Sequence, residues 1–359
     1  MSKFEQSDLS MVSTAPFAYE KLRAMTDSNQ KPEVTMDPAS TTKVQVPLSK
    51  LESFITPDEH LFVIGHMGIA RVNADTWRLR IEGAVERPLT FDYEQLRQLP
   101  SRTVTAFHEC YGNPVEPDVP TRRIGNVVWG GAPLRDVLVQ AGIRPDAMHV
   151  WLEGADSGTF ANVYSDQYIK DLPLEKVLQG EVLLAYEMNG APLSAEHGFP
   201  VRAVALGFFG TNSVKWLSRV YLAKTRPESL FTTKLYNRDV VEGGKTVREP
   251  VREVDVHSVI VRPSDGDVLN RGAHRMMGWT WSAYPVVRVE VSTDGGMTWG
   301  EAHVDNREGL YSWQRFVFDW QAPNTGRYEL QCRATDAQRR AQPPRSGRNR
   351  IHAINVVIA

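Results

Sequence analysis

The stretch VVRVEVSTDGGMTW, residues 286–299, joins a run rich in β-branched side chains to an Asp-Gly-Gly sequence. β-branched residues favour strands, and Asp294-Gly295-Gly296 beside such a run is a strong hairpin signal. The stretch therefore predicts two antiparallel strands that turn at residues 294–296.

Similar short runs lie on both sides of this hairpin. Turn residues separate them roughly every 10–15 positions, and helical periodicity is almost absent. Short strands with such even spacing predict a β-sandwich of immunoglobulin-like type over residues 250–359. Its tryptophans, Trp279, Trp281, Trp299 and Trp313, are available to the sandwich core or to a contact surface. The runs are HSVIVRP, MMGWTWSA, WQRFVFDW, GRYELQCRATD and IHAINVVIA.

The chain before the sandwich mixes short helices with strands. Residues 77–82 show the period-two pattern of a half-buried strand. FDYEQLRQLP (91–100) predicts a short helix stopped by Pro100, and GAPLRDVLVQAGI (131–143) predicts another that ends at a glycine. Because no regular βαβ repeat appears, residues 51–245 are predicted to form an α+β domain.

Three further segments complete the organisation. LEKVLQGEVLLAYEMNGAPL (174–193) predicts a helix, a strand and an Asn-Gly turn. Residues 1–50 are polar with little periodicity, and we expect an extended or partly ordered arm there. Residues 237–259 contain Gly and Pro among polar side chains, and they predict a connection between the two domains.

Composition excludes several classes of function. At 359 residues the chain exceeds the usual size of a single core, which favours two domains. A net charge of -2 gives no reason to expect a nucleic acid or an anionic membrane as partner. No apolar run is long enough to span a bilayer. The N-terminal residues lack a hydrophobic signal core and a twin-arginine pair, so we expect a cytoplasmic protein, or a periplasmic one if a leader was removed.

The chain contains only two cysteines, Cys110 and Cys332. Their separation along the chain argues against a disulfide framework, and a structural zinc site would need more paired ligands. Cys110 lies in HECYGN (108–113), where the strand-like run SRTVTAF ends in a Gly-Asn turn. A lone cysteine is ordinarily a buried core residue, so this placement calls for further signals.

Those signals come as ordered sequence blocks. HECYGN, EGADS (153–157), LLAYEMNGAPLSAEHGFPVR (183–202) and GTNSVKWL (210–217) together resemble the molybdenum-cofactor enzymes of the sulfite oxidase type. VRVEVSTDGGMTW (287–299) and RATDAQRRAQP (333–343) resemble the dimerisation sandwich of that family. The resemblance runs from about residue 54 to the end of the chain. It implies molybdenum held by molybdopterin and a homodimer formed through residues 255–359.

The resemblance also implies roles for particular side chains. Cys110 would be the molybdenum ligand, since a soft high-valent metal prefers a thiolate. Tyr168, just before the Leu-Pro-Leu of YIKDLPL, would orient substrate. Taken singly, each remaining position has a plainer interpretation, such as a surface charge or a lysine lying along Trp216. The implied cofactor-binding residues are Phe62, His66, Asp156, His197, Arg202, Ser213, Val214 and Lys215.

Two short segments depart from the family pattern. Sulfite oxidases hold their anionic substrate with arginines, which suit oxyanions. Ile64 and Gly65 stand where the family has an arginine and an asparagine, and Pro114 and Val115 stand where another arginine is expected. Candidate replacements from nearby loops are Arg71, Arg122 and Arg123.

The implied reaction is oxygen-atom transfer to a sulfur compound, with the electrons passed to a separate carrier. A c-type cytochrome or a similar small redox protein is the expected carrier. One alternative keeps the cofactor and changes the substrate, as in a sulfane-sulfur dehydrogenase or a nitrate-reducing enzyme. Another is a cofactor-free binding protein that uses the sandwich as an interaction module. The molybdenum content of the purified protein discriminates the cofactor-free alternative from the enzyme, and rapid reduction by sulfite would exclude the alternative with another substrate.

Overall fold

Strands dominate the computed structural model, which describes residues 33–37, 42–114 and 121–359. Strand residues account for 48% of the described residues and helical residues for 10%. The first half is therefore richer in β-structure than the predicted α+β class implies. No helix of the described residues is long and apolar enough to cross a membrane.

Twenty strands and three α-helices are described before residue 255. The strands are β1 Val34–Asp37, β2 Thr42–Val44, β3 Val46–Pro47, β4 Val63–Gly65, β5 Ile69–Val72, β6 Leu79–Gly83, β7 Leu89–Phe91, β8 Arg102–Glu109, β9 Thr121–Arg122, β10 Ile124–Pro133, β11 His149–Gly154, β12 Gly158–Phe160, β13 Val163–Ser165, β14 Ile169–Pro173, β15 Val182–Met188, β16 Ala191–Pro192, β17 Arg202–Ala205, β18 Leu217–Ala223, β19 Asn237–Glu242 and β20 Lys245–Pro250. The helices are α1 Tyr93–Arg97, α2 Leu134–Ala141 and α3 Leu174–Leu178, and short helical turns occupy Leu48–Lys50, Asp58–His60, Gly210–Asn212 and Leu230–Lys234.

Local sequence signals set several of these boundaries. Asp92 accepts a hydrogen bond from the backbone N–H of Gln95, and the Gln95 side chain bonds back, which forms a capping box at the start of α1. Gly142 ends α2 with a φ of 72°, a conformation that glycine adopts without strain. Asn189 and Gly190 both have positive φ and turn β15 into β16. These predicted features are confirmed.

Two five-stranded sheets position the site residues. The first has the order β16-β15-β10-β8, with β17 also paired to β15, and the second has the order β14-β11-β18-β6-β7. In the first sheet, β8 ends directly before Cys110, and β17 begins at Arg202 opposite Ala185. In the second sheet, the end of β11 pairs with the start of β18, so Asp156 and Lys215 emerge at the same edge.

The second half of the chain forms two packed sheets. Its strands are β21 His257–Arg262, β22 Val268–Leu269, β23 Gly272–Trp281, β24 Val286–Ser292, β25 Gly300–Glu301, β26 His303–Val304, β27 Gln314–Ala322, β28 Gly326–Asp336 and β29 His352–Ile358. One sheet has the order β21-β23-β27-β26 and the other β22-β29-β28-β24-β25. Side chains of both sheets share one core, among them Ile260, Phe316, Leu330 and Ile354. The predicted hairpin at residues 294–296 joins β24 to β25.

Tryptophans of the sandwich anchor it to the first half. Trp279 stacks on Trp313 with ring centroids 4.4 Å apart, and both belong to a core shared with Trp129 of the first half. The indole N–H of Trp313 donates to the carbonyl of Phe54 at 2.9 Å. Three of the four tryptophans that the sequence singled out are thus buried where the two halves of the chain meet: Trp279, Trp281 and Trp313.

Two segments differ from the sequence-based expectation. Residues 237–250, predicted as part of a connection, form the β19–β20 hairpin. Residues 33–37 and 42–50, predicted within the arm, pair with strands of the first half: β1 with β5, β2 with β4 and β3 with β9. Short extended segments acquire such pairings from tertiary context, which local periodicity does not report. Residues 1–32 and 38–41 of the arm lie outside the described residues.

Candidate active site

A cleft of about 670 Å³ opens where the two sheets of the first half meet. It lies at the end of β8, and segments that precede or follow β4, β11, β14, β17 and β18 complete its wall. Nine of the ten predicted site residues line this wall, and Val214 is the exception. The lining side chains that the sequence predicted are Phe62, His66, Cys110, Asp156, Tyr168, His197, Arg202, Ser213 and Lys215.

Cys110 is a free, partly buried thiol at the end of β8. Its backbone N–H donates to the carbonyl of Arg123 at 3.0 Å, which fixes the strand end. Burial raises the pKa of the thiol, while the backbone N–H of Gly112 and the side chain of Arg123 act in the opposite direction. Cys110 therefore has an anion-stabilising donor and a cation beside it, both of which favour a thiolate ligand.

Arg202 is buried, with 3% of its surface exposed. It donates to the carbonyls of His197 at 3.1 Å and Ser213 at 3.2 Å, and its Nη2 lies 3.2 Å from Nε2 of His108. Its Nε has no hydrogen-bond partner. Burial lowers the pKa of Arg202 to about 9, because the guanidinium is removed from water.

Lys215 extends the same cationic wall. Its ammonium donates to the carbonyl of Glu196 at 2.8 Å and lies 4.2 Å from the ring centroid of Trp216. Burial and the neighbouring Arg202 lower the pKa of Lys215 to about 7. Within the described part of the chain, no carboxylate forms an ion pair with Lys215 or Arg202, and Asp156 acts on Lys215 at longer range.

His197 and Asp156 complete this wall. Burial, Arg202 and Lys215 lower the pKa of His197 to about 4, so it is neutral at pH 7. Burial raises the pKa of Asp156 to about 7, and its Oδ1 has no hydrogen-bond partner. The wall thus carries a buried donor and a buried acceptor without hydrogen-bond partners. A polar ligand in the cleft could form hydrogen bonds with both.

Tyr168 and His66 form an aromatic wall with residues that the sequence did not identify. The hydroxyl of Tyr168 donates to the carbonyl of Thr211 at 2.8 Å, and burial raises the pKa of the phenol well above 10. The rings of His66 and Tyr168 stack at 5.5 Å, and Nε2 of His66 is hydrogen-bonded to the hydroxyl of Tyr236. Phe231 packs against Tyr168 with ring centroids 4.3 Å apart.

The sequence also missed His108. It is buried, its ring stacks on Phe62 at 5.5 Å, and burial together with Arg202 keeps its pKa well below 6.5. His108 and Cys110 are two positions apart at the end of a strand, so their side chains share one face. That spacing is a signal that could have identified His108. Tyr236 and Thr211 carry no comparable local signal.

Val214 is the one predicted site residue whose side chain lies away from the cleft. It is 1% exposed and packs in the core of the first half, while its carbonyl accepts the backbone N–H of Ala203 at 2.8 Å. Its two neighbours in the chain, Ser213 and Lys215, face the cleft because side chains alternate in this extended segment.

The residues that depart from the family pattern, and the arginines that could replace the missing cations, lie in different surroundings. Ile64 lines the cleft, and Val115 lies outside the described residues. Of the three candidate replacement cations, Arg71 has 57% of its side chain exposed and reaches Asp37 and Glu196 at 3.9 Å. Arg122 is buried near His352 and Cys332 of the sandwich. Arg123 alone of the three acts on Cys110.

The site fits an anionic, sulfur-containing cofactor. Among the residues that the structure describes, no carboxylate forms an ion pair with the buried Arg202 or the partly buried Lys215, and Cys110 is a soft ligand in the same cleft. The described residues contain no cluster of three or more His, Cys, Asp or Glu that could hold a metal ion by themselves. A metal in this cleft would thus need most of its ligands from a bound group, as a dithiolene provides.

Comparisons with known proteins agree with this geometry. Residues 66–231 match the family model of the oxidoreductase molybdopterin binding domain, and residues 248–357 match the Mo-co oxidoreductase dimerisation domain. Mitochondrial sulfite oxidase of Rattus norvegicus is 33% identical over 321 residues, covering 81% of this chain and 58% of the relative. Sulfite oxidase of Gallus gallus is 33% identical over 322 residues, covering 81% of this chain and 69% of the relative.

A solved structure is similar over the whole chain. The sulfane dehydrogenase SoxCD from Paracoccus pantotrophus matches with a TM-score of 0.76 and 28% identity, covering 100% of this chain and 96% of that chain. The fold, the cleft and the two family matches define a molybdopterin-binding domain of the oxidoreductase class joined to a dimerisation domain. The chain belongs to the sulfite oxidase family, which confirms the predicted family and its molybdenum–molybdopterin cofactor. It spans 58% of the length of the mammalian relative.

Proposed function

We propose that this chain is a molybdenum-dependent catalytic subunit that transfers an oxygen atom to a sulfur compound and passes the electrons to a separate carrier. One observation carries the proposal: the thiol of Cys110 shares a cleft with the buried Arg202 and the partly buried Lys215, and no carboxylate of the described residues forms an ion pair with either cation. A cofactor-free binding protein would have no use for this arrangement, because buried unpaired cations destabilise a fold.

The cofactor contacts follow from the chemistry of each donor. Arg202 and Lys215 would hold the anionic phosphate of the pterin, with His197 as a neutral donor or acceptor beside them. Asp156, whose Oδ1 has no partner, would accept from an N–H of the pterin. Cys110 would be the sole protein ligand of molybdenum. Phe62, His66 and Ser213 would shape the pocket around the bound group.

Molybdenum bound in this way supplies two-electron oxygen-atom transfer. The side chains of the cleft determine which substrates approach the metal and in which orientation. Arg123 favours the thiolate form of Cys110 and places one positive charge near the reacting position. Tyr168, fixed by Thr211, and His66, fixed by Tyr236, form a wall against which a substrate would be oriented.

The substrate that this pocket supports best carries less charge than the sulfite dianion. Ile64 lines the cleft where an oxyanion-binding arginine was expected, and an apolar wall disfavours a desolvated dianion. A sulfane-sulfur donor is therefore a second candidate substrate besides a sulfite-like compound. Similarity to the sulfane dehydrogenase SoxCD over the whole chain supports this candidate.

The test is a turnover assay of molybdenum-loaded protein with ferricyanide as electron acceptor. Sulfite, thiosulfate and a persulfide donor are compared, and molybdenum per chain is measured by elemental analysis. We expect a near-stoichiometric molybdenum content and a higher kcat/KM with the donor of lower charge. Protein that retains no molybdenum from a molybdenum-replete host would contradict the enzyme assignment.

We further propose a homodimer in which an immunoglobulin-like sandwich at residues 255–359 supplies the interface. The match of residues 248–357 to a dimerisation domain supports this proposal. Light scattering after size exclusion measures the mass directly, and a monomer at micromolar concentration would contradict it. The domain boundaries at residues 50 and 245–250, and the cytoplasmic compartment, stay predictions.

A further inference from the structure

Lys170 is a buried cation beside the aromatic wall of the active-site cleft. It lies in β14, two positions after Tyr168, and only 1% of its surface is exposed. A buried ammonium is costly unless other groups compensate its charge. Among the described residues, no carboxylate forms an ion pair with Lys170, and its neighbour Asp171 pairs with Arg226 and Arg252. The contacts that Lys170 does form therefore indicate its role.

The first contact of Lys170 is with the turn at Leu230–Lys234. The ammonium donates to the carbonyl of Phe231 at 2.9 Å, and both groups are buried. The turn closes through the backbone N–H of Leu235, which donates to the carbonyl of Leu230 at 3.0 Å. Single turns of this wide kind are rare, and they occur frequently at functional sites. Lys170 thus connects β14 to an unusual turn.

This turn leads into a residue with a strained backbone. Tyr236 has a φ of 58°, a left-handed conformation that costs an L-residue with a bulky side chain roughly 1–2 kcal/mol. Its carbonyl accepts the backbone N–H of Val251 at 2.9 Å, and the side chain of Asn237 donates to the carbonyls of Thr232 and Leu235. Such strain persists only where surrounding contacts hold it, and it is concentrated at functional sites.

The ring of Tyr236 connects Lys170 to the cleft. Tyr236 lines the cleft, and its hydroxyl is hydrogen-bonded to Nε2 of His66. Nζ of Lys170 lies 5.4 Å from the centroid of the same ring, within the range of a cation–π contact. In a buried site, a cation beside the ring also polarises the phenol and strengthens the hydrogen bond that its hydroxyl donates.

We propose that Lys170 is a positioning residue of the active site, and that its ammonium holds the phenol of Tyr236 in place to donate to His66. Lys170 does not itself line the cleft. It acts through Tyr236, which together with His66 and Tyr168 forms the wall against which a substrate is oriented. This inference rests on the proposed function, since the position of this wall affects turnover only if the cleft holds the cofactor and a sulfur donor.

The charge of Lys170 changes near neutral pH, which provides a direct readout. Burial lowers its pKa to about 7, Arg226 and Arg252 act in the same direction, and Asp171 acts in the opposite one. Burial raises the pKa of the Tyr236 phenol, so the phenol stays protonated in this range. The ammonium is therefore present below about pH 7 and is lost above it. A neutral amine no longer attracts the ring of Tyr236.

A double-mutant cycle of Lys170→Met and Tyr236→Phe tests the proposal, with ferricyanide as electron acceptor. Lys170→Met alone should lower kcat/KM for the preferred sulfur donor about tenfold. Tyr236→Phe removes the hydroxyl, so adding Lys170→Met to it should change kcat/KM by less than about twofold. Equal factors in the two backgrounds would overturn the proposal, because Lys170 would then act independently of the phenol.

Fluorine NMR of the full chain as purified, labelled with fluorotyrosine, observes the phenol directly. The signal of Tyr236 is assigned by its loss in Tyr236→Phe. In the wild-type protein its chemical shift should change between about pH 6 and 8, as Lys170 loses its proton. More than half of this change should disappear in Lys170→Met, which has no charge, and in Lys170→Arg, which keeps its charge throughout. Asp156 and Lys215, which also titrate near pH 7, account for the remainder.

Lys176→Met is the matched control, because Lys176 is a largely buried lysine that pairs with Glu181 outside the active-site cleft. It should keep the full pH response of Tyr236 and a kcat/KM within about twofold of wild type. A response that keeps its full size in the Lys170 variants would overturn the proposal, and Lys170→Arg decides this alone if Lys170→Met does not fold. Absence of turnover with every sulfur donor would instead contradict the proposed function, since the NMR measurement needs no turnover.

Discussion

Arg348 of the sandwich donates to the carboxylate of Glu109, the residue directly before Cys110, at 2.9 Å. Both groups are largely buried, and Glu109 also accepts the indole N–H of Trp281 at 2.7 Å. The other nitrogen of the guanidinium donates to Asp255 at 2.7 Å. The second half of the chain therefore holds the strand end that presents the metal ligand.

Arg348→Ala should destabilise the protein by roughly 3–5 kcal/mol, because it leaves Glu109 buried without its cation. Chemical denaturation measures the loss. Arg275→Ala is the matched control, since Arg275 pairs with Asp319 on an exposed surface, where an ion pair contributes little. Equal losses of stability in the two variants would contradict a stabilising role for the buried ion pair between Arg348 and Glu109.

Cys110→Ser should abolish turnover and leave the fold intact, because a hydroxyl is a poor ligand for a soft metal. Circular dichroism and the thermal transition check the fold, and ferricyanide reduction checks activity. Cys332→Ser is the control: Cys332 is fully buried in the sandwich core, so this variant should lose stability and keep its activity per folded molecule. An active Cys110→Ser protein would refute the ligand assignment.

Lys215→Met should stabilise the cofactor-free protein, on the order of 1 kcal/mol, and reduce its retention of molybdopterin. The folded protein holds Lys215 at a pKa of about 7, whereas an ordinary lysine titrates near 10.5. The unfolded chain therefore binds more protons between these values, and stability rises with pH from about 7 to 10.

The measurement is the free energy of unfolding of cofactor-free protein against pH. The slope between pH 7 and 10 should be smaller in Lys215→Met than in wild type, with Lys224→Met as an exposed control that preserves the slope. A part of the slope will remain, since Lys170 is also held by burial at a pKa of about 7. An unchanged slope in Lys215→Met would contradict the lowered pKa of Lys215.

Arg123→Met should lower kcat/KM for anionic sulfur donors roughly 10- to 100-fold, because it removes the one candidate cation that acts on Cys110. Molybdenum content is measured in parallel to separate substrate binding from metal retention. Arg71→Met should have little effect, as the Arg71 side chain is mostly exposed. A loss that is equal for anionic and neutral donors would show that Arg123 acts on the metal ligand alone.

Sequence motifs predicted the residues that lie in contiguous blocks. Cys110, His197, Arg202 and Lys215 were identified in this way, and the sheets bring all four to one cleft. Short-range patterns also set the capped helix at Asp92 and the hairpin at residues 294–296, because capping and turn formation depend on a few neighbouring residues.

Long-range partners were not predictable. The hydroxyl of Tyr236 meets His66 across 170 positions, and Arg348 meets Glu109 across 239. No local periodicity encodes such a pairing, since it depends on how separate sheets pack. Val214 shows the converse case: it lies inside a matching motif, yet its side chain faces the core.

The stack of Trp279 on Trp313 has a consequence for how the protein can be divided. Cutting the chain near residue 250 would uncover Trp129 and Ala106 in the first half and both stacked indoles in the second. The match to two family models suggests two independent modules, but the shared core predicts that they fold as one cooperative unit. A fragment limited to residues 51–245 should aggregate, and the intact chain should unfold in a single transition.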